Sequence, residues 1–309
     1  MTGSNDEFAR QRALDTYRIV DTLPEPAYDD IVQVASALCD APIATVTLID
    51  RDRQWFKSRV GLDDEQTGRE VAFCDHAIRH PDRMLEVPDA TLDPRFANNP
   101  LVTGAPDIRF YAGMPLVTPG GAAIGTVCVI DREPRQLDDK QRAGLAALAR
   151  LAMNLMEARH RELEHERNAR LAAIEQEEHA TPTRVGDGFS VGVIEVRDMS
   201  GTARRLGDRA FNRALEQLEQ ALESGLRPGI GDSISHVAGS GEFIVVMHGD
   251  DCSEAWATLR GVVARFEAES GIALVCAAAE AEYPDQSLAE VFLLADEALS
   301  REKDAALAA

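Results

Sequence analysis

Residues 41–58 read APIATVTLIDRDRQWFKS. From Ile43 to Ile49 the residues alternate as in a strand, whose successive side chains leave the pleated backbone on opposite faces. Asp50 to Arg53 forms a polar turn, and Gln54 to Ser58 resumes the extended pattern. Upstream, residues 27–39 carry apolar residues at helical spacing, so a helix feeds the first strand. Further strand-like segments lie at residues 84–87, 112–117 and 124–130, separated by Pro, Gly and Asp clusters. This order predicts one antiparallel sheet flanked by helices.

From residue 138 to about residue 178 the pattern is helical and free of Pro, a rod of roughly 60 Å at 1.5 Å per residue. Leu145, Leu148, Leu151 and Leu155 open it, after which the apolar stripe thins to Leu163, Leu171 and Ile174. The expectation is a signalling helix and a homodimer formed through its first half. The polar stretch HATPTRVGDG, residues 179–188, has the composition of a linker. Beyond it the order is strand, helix, strand, hairpin, strand, helix, strand, helix: an α/β sandwich. The predicted division is residues 1–158, 159–188 and 189–309, an α+β domain joined through a long helix to an α/β domain.

At 309 residues the chain is long enough for two cores. No run approaches the ~20 apolar residues of a membrane span, and residues 1–30 lack a signal-peptide core, so a cytoplasmic location and no membrane contact are expected. A net charge of −21 disfavours nucleic acid as a partner. The five cysteines are scattered without a C-x-x-C spacing, which argues against a disulfide framework or a structural zinc site.

Residues 12–159 resemble a bacterial branch of the GAF family through the blocks APIATVTLIDRDRQWFKS, EVAFCDHAI, VPDATLDPRFANNPLV, IRFYAGMPLV and IGTVCVIDREPRQL. The resemblance implies a cup on a sheet, with loops able to cover a small molecule. Phe73, Cys74, His76, Phe110 and Tyr111 are the candidate ligand-binding residues, with packing as the competing role for each. Some GAF relatives hold a tetrapyrrole through adjacent Cys and His. Here Asp75 separates Cys74 from His76.

Residues 189–303 resemble the GGDEF family, through AGSGEFIVVM at 238–247 and LLADEALSREK at 293–303. Active members are diguanylate cyclases that hold Mg²⁺ on carboxylates and join two GTP. The motif is here Gly239, Ser240, Gly241, Glu242 and Phe243. The resemblance maps one metal position onto Glu195 and the other onto Gly241, which has no side chain, or, if the hairpin carries one inserted residue, onto Ser240 or Gly241, neither of which supplies a carboxylate. The segment that wraps phosphate and reads guanine is reduced to a short loop, residues 197–206, without Asn. The inhibitory R-x-x-D maps onto residues 230–233, where neither end matches. Gly207 and Asp208 match a scaffold Gly-Asp pair, and Lys303 matches a phosphate-contacting Lys that would equally suit a helix C-terminus.

No intact catalytic set, metal or cofactor is therefore expected. The implied function is a signalling protein whose GAF half meets an unidentified small molecule or protein, and whose degenerate GGDEF half acts by binding in cyclic di-GMP-related regulation. The alternatives are an active diguanylate cyclase using Mg²⁺ and GTP, or a nucleotide receptor without turnover.

Overall fold

A computed structural model describes residues 3–180, 188–227, 229–249, 251–283 and 286–307. The chain divides into two units, residues 1–160 and 161–309. The expected linker falls mostly outside the described residues.

In the first unit, α1 (Gly3–Tyr17) and α2 (Pro26–Cys39) precede β1 (Ile43–Ile49) and β2 (Arg53–Val60). Pro26, with its φ already helical, opens α2, and Asp40 in the left-handed region closes it. Then come β3 (Gln66–Gly68), α3 (Phe73–Ile78), β4 (Leu85–Val87), α4 (Pro100–Thr103), β5 (Phe110–Val117) and β6 (Ala123–Asp131). The strands form one antiparallel sheet in the order β3-β2-β1-β6-β5-β4.

The two-residue period divides each strand between two cores. Ala44, Val46, Leu48, Phe110, Ala112, Val127 and Val129 pack with α1, α2 and the start of α5 (Asp139–Ala180). Ile43, Ile49, Tyr111, Cys128 and Ile130 face the other way, toward α3, the loop around Phe96 and Val102 of α4. Leu145 is wholly buried in the first of these cores, and Leu148 and Leu155 pack against it. Of the four leucines expected to pair two copies, three thus pack in their own unit, and Leu151 alone of the four is exposed.

In the second unit, β7 (Phe189–Val196), α6 (Met199–Leu206), α7 (Asp208–Ser224), β8 (Ser233–His236), β9 (Glu242–His248), α8 (Cys252–Ser270), β10 (Leu274–Glu280) and α9 (Leu288–Leu307) follow in turn. The antiparallel sheet has the order β10-β7-β9-β8, the strand arrangement of a split β-α-β unit. One face packs against α9 and against Leu163, Leu171 and Ile174 of α5, so the thinned stripe of that helix belongs to a core. Residues 197–206, expected as a loop, hold α6 instead. Asp198 caps it by accepting from the Gly201 N–H at 2.8 Å, and Gly207 ends it at φ +82°.

Candidate functional site

The face of the first sheet toward α3 carries a cavity with ≈ 490 Å³ of empty space, its open mouth included. Phe73, Leu101, Ile108 and Ile130 supply apolar walls, and Asp64 and Thr67 also line it. Gln54 presents a polar group there: its Nε2 donates to Thr67 Oγ1 at 2.6 Å, while its buried Oε1 accepts no hydrogen bond among the described residues. A small ligand with an apolar body and one donor fits this lining.

Of the predicted ligand residues, Phe73, Cys74 and Tyr111 line the cavity. Phe110 does not, because the alternation of β5 sends it into the core on the opposite face. His76 also turns away. Helix neighbours two apart diverge by about 200°, and His76 sits edge-on to Phe96, with ring centroids 4.8 Å apart. Between them, Asp75 accepts from Arg69 at 2.7 Å and from Arg79 at 2.5 Å, which fixes α3 against the Glu7–Arg69 pair. Burial raises the Asp75 carboxyl, but the two guanidinium groups hold it below its ordinary range.

The cavity floor is a polar cluster. Cys74 Sγ lies 3.9 Å from Cys128 Sγ and accepts from Thr126 Oγ1 at 3.2 Å and from the Tyr111 hydroxyl at 3.4 Å. Cys128 Sγ is 3.0 Å from Thr45 Oγ1, which in turn is 2.6 Å from Thr47 Oγ1. Burial pushes the Cys74 thiol up, yet hydrogen bonds from Cys128, Thr126 and Tyr111 outweigh it and bring the pKa to about 7. Cys128 moves the opposite way, raised by its bond to Cys74 and by burial. Thr45, Thr47, Thr126 and Cys128 were not among the predicted residues. The signal was present: in ATVTL and GTVCV the polar residues fall on alternate positions, and so on one face.

In the second unit, residues 237–242 make the β8–β9 hairpin. Gly239 takes φ +73°, where a side chain is strained, and Ser240 Oγ donates to the Val237 carbonyl at 2.8 Å. Phe243 is fully buried and stacks on His236. Glu242 faces Glu195 across β7 and β9. Arg167 Nε and Nη2 donate to Glu242 at 3.1 and 2.6 Å, and Lys303 Nζ donates to both oxygens of Glu195 at 2.7 and 2.8 Å. The positions mapped onto the two metal ligands do not share a face. A Cβ on Gly241 would stand 3.0 Å from Val196 Cβ and 3.1 Å from Met199 Sδ, on the side away from Glu195. Lys303, mapped as a phosphate contact, is a partner of Glu195. Among the described residues no group of three His, Cys, Asp or Glu is placed to hold a metal ion.

Residues 24–156 match the family model of the GAF domain. The first unit thus contains a GAF domain. Over 149 residues the chain is 44% identical to the cyclic di-GMP phosphodiesterase PA2567 of Pseudomonas aeruginosa, a match covering 48% of this chain and 25% of that protein. The chain thus spans about a quarter of the length of this curated relative. Solved structures similar to it include the blue-light-absorbing form of the PixJ GAF domain of Thermosynechococcus elongatus, at 14% identity and a TM-score of 0.38, covering 58% of this chain and 100% of that one. Another is the free methionine-R-sulfoxide reductase of Neisseria meningitidis, at 16% identity and a TM-score of 0.37, covering 52% and 95%. The GAF domain here is thus related in sequence to one found in a protein of cyclic di-GMP metabolism. Among the described residues no helix is long and apolar enough to cross a membrane.

Proposed function

We propose that this chain is a signalling protein of cyclic di-GMP-related regulation, in which the GAF cavity receives a small-molecule input and a degenerate GGDEF domain passes it on by binding rather than by catalysis. The observation that carries the reading is the engagement of the motif carboxylates in ion pairs: Glu242 is buried against Arg167, and Glu195 is bound by Lys303. A cation would have to displace a lysine at Glu195 and would find no carboxylate at Gly241. The kinship of the GAF domain with that of a cyclic di-GMP phosphodiesterase supports the signalling context.

The test is to incubate the full chain with GTP and Mg²⁺ or Mn²⁺, and separately with cyclic di-GMP, beside an active cyclase and a phosphodiesterase. Product chromatography and calorimetric binding are read together. The reading expects no formation or hydrolysis of cyclic di-GMP. GTP turnover that a Glu195→Ala variant abolishes would overturn it, and nucleotide binding without product would make the second domain a receptor.

A further inference from the structure

We infer that Cys74 and Cys128 form a peroxide-reactive dithiol at the floor of the GAF cavity, a modification site whose substrate is a small hydroperoxide. The two sulfurs lie 3.9 Å apart, and both residues line the cavity while being almost wholly buried within the protein. Hydroxyl donors from β5 and β6 converge on Cys74 Sγ, which favours its thiolate, the nucleophilic form. Cys128 keeps its proton and stands where a resolving thiol is needed. Closing a disulfide requires the sulfurs to approach to about 2.05 Å.

With hydrogen peroxide, the Cys74 thiolate attacks one oxygen, the O–O bond breaks, and the departing hydroxide takes up a proton from solvent, the one Cys74 released on ionising, to leave as water. Cys74 is then a sulfenic acid. The Cys128 sulfur attacks the Cys74 sulfur, the S–O bond breaks, and the hydroxide leaves with the Cys128 proton as a second water. Two thiols are oxidised to one disulfide and one hydrogen peroxide is reduced. Because Cys74 and Cys128 line the cavity yet are almost wholly buried, the inference requires a small oxidant and expects a bulky one such as oxidised glutathione not to react.

The test uses the full reduced chain, hydrogen peroxide, and differential alkylation with peptide mapping of all five cysteines. The expected result is a peptide carrying Cys74 joined to one carrying Cys128, formed with peroxide, not with oxidised glutathione, and reversed by dithiothreitol. A Cys128→Ser variant should hold Cys74 as a sulfenic acid that dimedone traps, and Cys74→Ser should give neither product. On the wild-type protein alone, the rate should rise with pH through about 7. Oxidation of the less buried Cys276 first, with Cys74 and Cys128 left as thiols, would overturn the inference. So would a Cys74 that runs to sulfinic acid without a crosslink in the wild type. Neither failure alters the GTP and cyclic di-GMP assays above, so the two readings fall separately.

Discussion

Glu195 on β7 and Glu242 on β9 stand directly opposite each other, and each is met by a cation from a helix on that face of the sheet, Lys303 of α9 and Arg167 of α5. Two carboxylates facing each other across a ladder repel. The arrangement holds because Arg167 and Glu242, at 5% and 2% side-chain exposure, form a buried, forked pair. Breaking such a pair leaves an uncompensated charge in the core. Arg167→Met should therefore cost about 3–5 kcal/mol, and the double variant Arg167→Met with Glu242→Leu should recover most of it. Urea unfolding of both variants checks this, and a double variant no more stable than the single one would refute it.

A carboxylate placed at residue 241 should not confer cyclase activity. Gly241→Asp places its Cβ against Val196 and Met199, on the face away from Glu195, so the new side chain crowds a packed contact without reaching a shared metal position. The expected outcome is a loss of about 1–3 kcal/mol and still no cyclic di-GMP from GTP, measured by denaturation and by product chromatography.

Gly192 lies under the indole of Trp256, where a built Cβ would fall 1.8 Å from the ring. Gly192→Ala must push the ring aside and strain its bond from Nε1 to Ser190 Oγ, now 2.9 Å. A destabilisation of about 1–3 kcal/mol, with a red shift in tryptophan emission, is expected. An unchanged spectrum and midpoint would show that the ring moves freely.

Acid should loosen the base of α3. Burial raises the Glu7 carboxyl, but hydrogen bonds from Arg10 and Arg69 outweigh it and bring the pKa to about 2 from 4.5. A depressed carboxylate contributes stability that is fully present above its unfolded value and is lost as pH falls from about 4.5 through about 2. Because Glu7 is 42% exposed, the pair is worth about 1 kcal/mol or less. The gap in stability between wild type and Glu7→Gln should therefore narrow as pH falls across that window in urea titrations, and a gap independent of pH would contradict the assignment.

Periodicity made much of this molecule readable from its residues. The alternation in IATVTLI and the Pro-free run after residue 138 match β1 at Ile43–Ile49 and α5 at Asp139–Ala180, because strand and helix periods are properties of the local chain. Residues 197–206 were harder. Their Ser, Gly and Thr suit a turn, yet a cap from Asp198 and burial of Met199 and Ala203 make them helical. The facing pattern of β5 also separates Phe110 from Tyr111, which their adjacency in sequence had grouped together.

What the sequence determined by itself was therefore the principal strands and the long helix, the absence of a side chain at Gly241, and the presence of cysteines without a local metal-binding spacing. Only the tertiary structure decided which residues meet. Cys74 and Cys128 are 54 positions apart and are joined by the packing of α3 on β6, while Arg167 and Glu242 are 75 positions apart and are joined by α5 lying on the sheet. Contacts of that range depend on how whole elements pack, and no local spacing encodes them.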